Sequence, residues 1–304
     1  MKILNFGSLN LDHVYRVPHF TAPGETLSAE MTEAFGGKGL NQSVALARAG
    51  AEVWHAGCMG RGGEELVAFL RENGVRTDHI KKTDAPQGNA VIEVTDSGEN
   101  RIIICGGSNL ALDGEYADSV MDSGDFTAGD IVLLQNEVSA VGHIIRSAKK
   151  RGMKVVLNPS PFNEKLSGID WSALDWAVLN EVEAAQLSGV PIASGEDADR
   201  AAEKLRAVCP AVALLITLGA GGSVCYTPDG KTFRQPVYPV KAVDTTAAGD
   251  TFTGYFLASL CRGEEIPLCL RRAAAASSVA ITRLGAAPSV PYSAETDEFL
   301  EKLL

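Results

Sequence analysis

The chemistry this sequence can do is concentrated in a few glycine-marked turns and in polar residues at the ends of apolar runs. The richest is Val243-Asp244-Thr245-Thr246-Ala247-Ala248-Gly249-Asp250-Thr251-Phe252, which leads into an apolar, helix-like stretch through Leu260. Small residues entering a helix leave backbone N–H groups unpaired and aimed outward, at the positive end of the helix dipole, so the turn suits an anion. Asp250 stands in it, where a carboxylate can take a proton from a hydroxyl while the N–H groups hold charge on a transferring phosphoryl group. Taken singly, the segment favours the plainer role of a carboxylate that caps its helix.

A second cluster, Phe35-Gly36-Gly37-Lys38-Gly39-Leu40-Asn41-Gln42, also opens a helix, with Lys38 and Asn41 as polar tips. Its glycines let a ligand approach the backbone, and Asn both donates to and accepts from sugar hydroxyls. An ordinary loop-to-helix turn accounts for it equally well. Asn10 and Asp12 follow the first apolar run, at the carboxyl edge where open α/β sheets bind ligands, although an Asx turn is also open to them. Asn180 ends another strand-like run, and Glu183 near the next helix start could hold a magnesium-bound water or simply complement the helix dipole. Thr217-Leu218-Gly219-Ala220-Gly221-Gly222 follows an apolar strand and could pass close to nucleotide phosphates.

Rival chemistries lack their residues. The Gly230-Lys231-Thr232 triplet has Cys225 where a P-loop needs its leading Gly, and Gly7-Ser8-Leu9 lacks the second Gly of a dinucleotide fingerprint. His13, His19, His55, His79 and His143 form no H-E-x-x-H and have no Cys at zinc-ligand spacing.

These turns need a frame, and the chain is large enough to supply one: 304 residues, 45% hydrophobic and 21% charged, exclude a disordered chain or a disulfide-stapled miniprotein. With 27 Lys+Arg against 38 Asp+Glu, the net charge of -11 disfavours a nucleic-acid footprint. The expectation is a soluble, cytoplasmic enzyme with no membrane partner, because the longest apolar runs fall far short of the roughly 20 residues of a span. The opening Met1 to Gly7 meets Asn and Gly before a signal-peptide core could form. Cys58, Cys105, Cys209, Cys225, Cys261 and Cys269 contain no C-x-x-C and read as reduced core residues. Ile3 to Phe6, Ala51 to Ala56, Ile131 to Leu134, Lys154 to Leu157, Trp176 to Leu179 and Val212 to Thr217 read as strands. Helix-like Asn41 to Gly50, Val138 to Arg151, Glu181 to Ser188 and Ala201 to Val208 lie between them, predicting a mostly parallel sheet covered on both faces. Asp12 to Phe35 and Gly88 to Cys105 break the alternation and read as antiparallel strands of a small separate sheet, and Cys225 to Gln235 reads as a hairpin ending the main one.

Taken together and in order, these segments resemble the PfkB carbohydrate kinase family, and within it the kinases of ribose. The likeness runs from Gly7-Ser8-Leu9-Asn10-Leu11-Asp12 through Pro23-Gly24-Glu25-Thr26, Gly36 to Gln42, Asn158-Pro159-Ser160-Pro161, Asn180 to Glu183 and Asp244 to Asp250, to Thr282 through Pro291. It implies one α/β domain over 1–304, a three-layer α/β/α sandwich whose lid strands are inserted at about 12–35 and 88–105. It also implies transfer of the ATP γ-phosphoryl to the terminal hydroxyl of D-ribose. Asp250 would be the base and Ala247, Ala248 and Gly249 the anion hole, while Asn10, Asp12, Gly37, Lys38, Gly39, Asn41 and Glu137 hold the sugar. Asn180, Gly249 and the run Thr217, Leu218, Gly219, Ala220, Gly221 and Gly222 would contact the nucleotide, with Glu183 ordering Mg²⁺ through water. K⁺ would order the anion-hole loop, held by Asp244, Ser289 and backbone near Thr246, Ala280, Arg283 and Gly285. An exposed apolar lid face would pair as a homodimer. Leu40, Asn89 and Ala274 depart from the family's usual residues, the first two with a bearing on the sugar pocket. A sibling kinase of deoxyribose, a keto sugar or a nucleoside stays open. A catalytically silent sugar-binding protein on the same fold is the reading from another class, and the intact Asp250, Gly249 and Glu183 argue against it.

Overall fold

The computed structural model describes residues 1–97 and 99–303. The chain opens with the buried strand β1 (Ile3–Phe6), leaves the body as β2 (Asn10–Val17) and β3 (Glu30–Gly36), and returns through α1 (Lys38–Arg48) to β4 (Val53–Arg61), α2 (Glu64–Glu72) and β5 (Ile80–Pro86). A second excursion, β6 (Gly88–Thr95) and β7 (Asn100–Cys105), precedes α3 (Gly114–Met121). Strand and helix then alternate through β8 (Ile131–Gln135), α4 (Val141–Lys150), β9 (Lys154–Asn158), β10 (Trp176–Asn180), α5 (Glu181–Ser188), α6 (Gly195–Val208) and β11 (Ala213–Thr217). The hairpin β12 (Ser223–Tyr226) and β13 (Thr232–Gln235) follows, and α7 (Ala248–Cys261), α8 (Ile266–Ala280) and α9 (Ser293–Glu301) complete the order.

The main sheet has nine strands in the order β13-β12-β11-β10-β9-β8-β1-β4-β5, parallel except for the β11-β12-β13 end, where the hairpin signal at Pro228-Asp229-Gly230 turns the chain back. Its strands are apolar throughout because both faces are covered: along β8, Val132 and Leu134 pack with Ile144 and Ile145 of α4, while Ile131 and Leu133 pack with Tyr255 and Phe256 of α7. That division follows from the two-residue period of a strand, and it gives the expected α/β/α layering. α7 is buried over most of its length, as its run of Phe252, Tyr255, Phe256 and Leu257 requires.

The second sheet is a separate four-stranded unit in the order β3-β2-β6-β7. It departs from the expectation of antiparallel pairing at its centre, where β2 and β6 run parallel with Asn10 opposite Gly88. Both strands leave the body in the same direction, each from the carboxyl end of a main-sheet segment, so they can only meet in parallel. The edge strand β7 is exposed along its whole length, with Ile102, Ile103 and Ile104 at 54%, 71% and 47%. Cys105 on that edge is exposed, and Cys209 and Cys261 are half-buried, so only Cys58, Cys225 and Cys269 are the core thiols the sequence suggested for all six. Among the described residues, no helix is long and apolar enough to cross a membrane.

Candidate active site

The residues expected to hold a sugar are brought together where α1 lies against the end of β1. Gly39 makes that approach possible: a Cβ there would sit 2.2 Å from the Ser8 nitrogen and 2.5 Å from Gly7. Gly37 supplies the bend before it, at φ 90°. The Ser8 hydroxyl accepts from the Gly39 N–H at 3.1 Å and donates to Glu137, whose carboxylate also takes the Lys38 N–H at 2.8 Å. Two of the orphan donors at the start of α1 are thereby satisfied. Asn10 is fixed by Asn109, whose Nδ2 donates to Asn10 Oδ1 at 2.7 Å. Asp12 Oδ1 and Asn41 Oδ1 are buried without a protein partner. Buried acceptors without a partner are the exception in folded proteins, and each has a lone pair left for a hydroxyl donor.

Charge among these residues is strongly coupled. Burial, with Glu137 nearby, pushes the Asp12 carboxyl up to about 7. Burial also raises Glu137, against the pull of Lys38 and the Ser8 hydrogen bond. For Lys38 burial works against the ammonium, but Asp250, Glu137 and Glu183 together outweigh it and hold its pKa above the ordinary value. The sequence assigned Lys38 to the sugar alone; its side chain lines the cleft that also holds Asp250, Asn180 and Glu183.

Asp250 sits in the first turn of α7 and is 6% exposed. Its Oδ2 accepts from Asn41 Nδ2 at 3.0 Å and its Oδ1 from Gln42 Nε2 at 2.8 Å. Ala247 enters the helix in the left-handed region, at φ 59°. The Ala248 N–H already donates to Thr245 O at 3.2 Å, whereas no backbone acceptor among the described residues takes the N–H groups of Gly249 and Asp250. Nor does any among the described residues take the Ala247 N–H, so of the run Ala247, Ala248, Gly249 only Ala248 is bonded within the turn. Upstream, the Asp244 carboxylate ties two turns together, accepting from Thr246 N at 2.9 Å, Thr246 Oγ1 at 2.6 Å and Gly285 N at 2.9 Å. Burial would raise its pKa, but these bonds outweigh burial and leave it below the usual carboxylate value. Ser289 is buried, its hydroxyl donating to Ala286 O at 2.8 Å, and Ala280 O accepts from Arg283 N at 3.0 Å.

A cleft of about 650 Å³ runs from this turn across the ends of β10 and β11. Thr217, Gly219, Ala220 and Gly222 line it as the sequence suggested, and so does Ala274 of α8. Leu218 does not; it packs on the core beneath. Gly221 is not on the lining either, its N–H donating to Leu218 O at 2.8 Å. The opposite wall, Pro236 to Val240, carried no sequence signal beyond following the hairpin. Asn180 and Glu183 form a capping box, Glu183 N donating to Asn180 Oδ1 at 2.8 Å and Asn180 N to Glu183 Oε2 at 3.0 Å. Glu183 thus caps its helix and faces the cleft at once. Leu40 is wholly buried in the core, so it offers the sugar wall no surface, while Asn89 is half-buried on β6 with its Nδ2 on Gln87 O at 3.2 Å. The residue that sequence reasoning quoted but gave no role is Gln42; its signal was a polar residue on the buried face of an amphipathic helix.

A carboxylate held between two amides beside free helix-start donors, on a nucleotide-sized cleft, is the arrangement of a phosphotransferase with an alcohol group as acceptor. The chain belongs to the pfkB family of carbohydrate kinases, whose description matches residues 1–292. It is 39% identical over 303 residues to the ribokinase of Haemophilus influenzae, covering 97% of each chain. Among solved structures it is similar to the ribokinase of Cryptococcus neoformans in complex with ADP, at TM-score 0.86, 31% identity and 98% of each chain. The Arabidopsis thaliana ribokinase complexed with ribose and ATP superposes at TM-score 0.85 and 30% identity, over 99% of this chain and 98% of that one.

Proposed function

We propose that this enzyme transfers the γ-phosphoryl group of ATP to the terminal hydroxyl of D-ribose, giving ribose 5-phosphate. The observation that carries the reading is the Asp250 carboxylate: both its oxygens accept from amides, Asn41 on the sugar wall and Gln42 behind it, at the inner end of the nucleotide cleft. In that setting Asp250 takes the proton of the acceptor hydroxyl. The N–H groups of Ala247, Gly249 and Asp250, with the Lys38 ammonium, stabilise negative charge on the transferring group. Asn10, Asp12, Asn41 and Glu137 hold the sugar, the unpartnered Asp12 and Asn41 oxygens accepting hydrogen bonds from its hydroxyls. Asn180, Thr217, Gly219, Ala220 and Gly222 hold the nucleotide, and the Glu183 carboxylate orders the waters of its Mg²⁺.

The Asp244 carboxylate and the Ser289 hydroxyl are the hard oxygen donors a K⁺ requires, and Thr246, Ala280, Arg283 and Gly285 supply the surrounding backbone. A K⁺ held by these groups would supply positive charge to the anion-hole turn, which Asp244 itself ties to the Gly285 loop. The apolar edge Ile102 to Ile104 supports pairing of two lids in a homodimer, and the acidic charge and reduced-thiol composition support a cytoplasmic enzyme.

The test is ADP release by the purified protein with Mg-ATP and K⁺, comparing D-ribose with 2-deoxyribose, fructose, nucleosides and no sugar. Preferential turnover of D-ribose is the expected result. Turnover confined to another acceptor would make this a sibling kinase with the same machinery, and no turnover with any acceptor would favour the silent sugar-binding protein. Equal rates in Na⁺ and K⁺ would remove the cation from the mechanism.

A further inference from the structure

Gln42 stands in the motif that opens α1, yet its side chain is wholly buried and reaches no solvent. Its Nε2 donates to Asp250 Oδ1 at 2.8 Å and to Asn158 Oδ1 at 3.0 Å. Its Oε1 accepts from Gln135 Nε2 at 2.7 Å, and that same nitrogen reaches Asn5 Oδ1 at 3.0 Å. Asn5 and Gln135 interrupt two of the most apolar strands, β1 and β8, at positions with no exposure. Buried polar groups in such strands are costly unless a network uses them.

The polarity of this network is fixed at both ends by main-chain carbonyls. Asn158 Nδ2 donates to Val178 O at 2.9 Å, so Asn158 turns its oxygen toward Gln42. Asn5 Nδ2 donates to Gly39 O and to Ser43 Oγ, both at 2.8 Å, so its oxygen faces Gln135. A carbonyl only accepts, and flipping either terminal amide would leave a buried carbonyl unpaired against an oxygen. Gln42, caught between them, has one orientation open to it, with its N–H groups toward Asp250.

We propose that Gln42 is the positioning residue of the catalytic base: the buried relay Asn5, Gln135, Gln42, Asn158 locks a donor onto Asp250 Oδ1 and keeps the carboxylate's free lone pairs aimed at the acceptor hydroxyl. The inference rests on the kinase reading above, in which Asp250 takes that proton. A carboxylate held at both oxygens by donors that cannot rotate away is oriented before substrate arrives. Gln42 acts only through Asp250.

The experiment compares wild type, Gln42→Met and Gln42→Glu for ADP release with Mg-ATP and D-ribose across the full pH profile, with sugar Kd from calorimetry. Met keeps the volume and removes the donors; kcat is expected to fall about 10- to 100-fold while sugar Kd stays within about threefold. Glu sets a second carboxyl against Asp250, and the acid limb of the kcat profile is expected to move up by about one pH unit or more. A purely structural Gln42 would lower the melting temperature of both variants and leave kcat of the folded Gln42→Met variant at the wild-type value. A Gln42→Glu profile that overlays wild type overturns the proposal, as does a Met variant with undiminished kcat. Should Gln42→Met fail to fold, Gln42→Leu, which likewise removes the donors, decides through its kcat. Wild type inactive with every sugar would overturn the kinase reading and this one with it, whereas active wild type with an unshifted Glu variant overturns this one alone.

Discussion

Replacing Asp250 by Asn tests the base and its surroundings in one protein. Loss of a general base lowers the rate by about 10²–10⁴, which is about 2.7–5.4 kcal/mol of barrier at 1.36 kcal/mol per decade. The hydrogen bonds add a second, independent effect. Both Asp250 oxygens accept, from Asn41 Nδ2 and from Gln42 Nε2, and an amide has only one oxygen to offer. One donor must then face another, and a buried donor without a partner costs about 1–3 kcal/mol. For a chain of 304 residues, an unfolding entropy of about 2.1 cal/mol/K per residue sums to about 0.64 kcal/mol/K, so the melting temperature should fall by about 2–5 °C. The assay is ADP release for kcat, with a thermal melt followed by circular dichroism. An Asn variant keeping more than about a tenth of wild-type kcat would refute the base assignment. A melting temperature equal to or above wild type would refute the facing-donor argument, whatever the rate.

Because the Asp12 carboxyl is pushed up to about 7 from its ordinary 3.8, the folded protein binds that proton more tightly than the unfolded chain, and Asp12 withdraws stability as pH rises between those values. Sugar hydroxyls favour the ionised form, so sugar affinity should tighten as pH rises toward about 7, by at most about tenfold per unit, and Asp12→Asn should flatten the dependence; a pH-independent wild-type Kd would contradict this. Gly39→Ala drives a methyl group into Ser8 and Gly7 and should destabilise by about 1–3 kcal/mol or more in denaturant unfolding. Gly249→Ala meets nothing within 4 Å and should melt like wild type, so similar losses in both would undo the steric reasoning. Ile103→Glu puts charge at the middle of the exposed lid edge, and the mass from sedimentation equilibrium should drop from dimer to monomer, or stay unchanged if the lids do not pair.

Much of this was legible in the residues because each signal was local. Strand and helix periods marked β1, β8 to β11 and their helices, and the small residues before Asp250 marked a helix start with open donors. What was not legible depended on partners far along the chain. Nothing in the alternation of β2 and β6 reports that they run parallel, since a two-residue period is blind to the direction of the neighbour. β5 was missed because its Lys81, Lys82 and Asp84 face outward on a sheet edge, where an apolar pattern is not needed. Cys105 looked like a core thiol beside three isoleucines, but those isoleucines are themselves on an open edge. Asn5 and Gln135 were visible as polar interruptions of apolar strands; their meaning required the third dimension, where they meet Gln42.

The hydrogen bond between Asn41 and Asp250 joins residues 209 positions apart, and this separation has a consequence during synthesis. At about 5–20 residues per second, Asp250 leaves the ribosome roughly 10–40 s after Asn41. Throughout that interval the nascent chain carries both amides and lacks the carboxylate they hold. Competence to consume ATP therefore arrives with α7, among the last elements made, and a product cut short before it has the sugar-facing residues without the means to phosphorylate what they face.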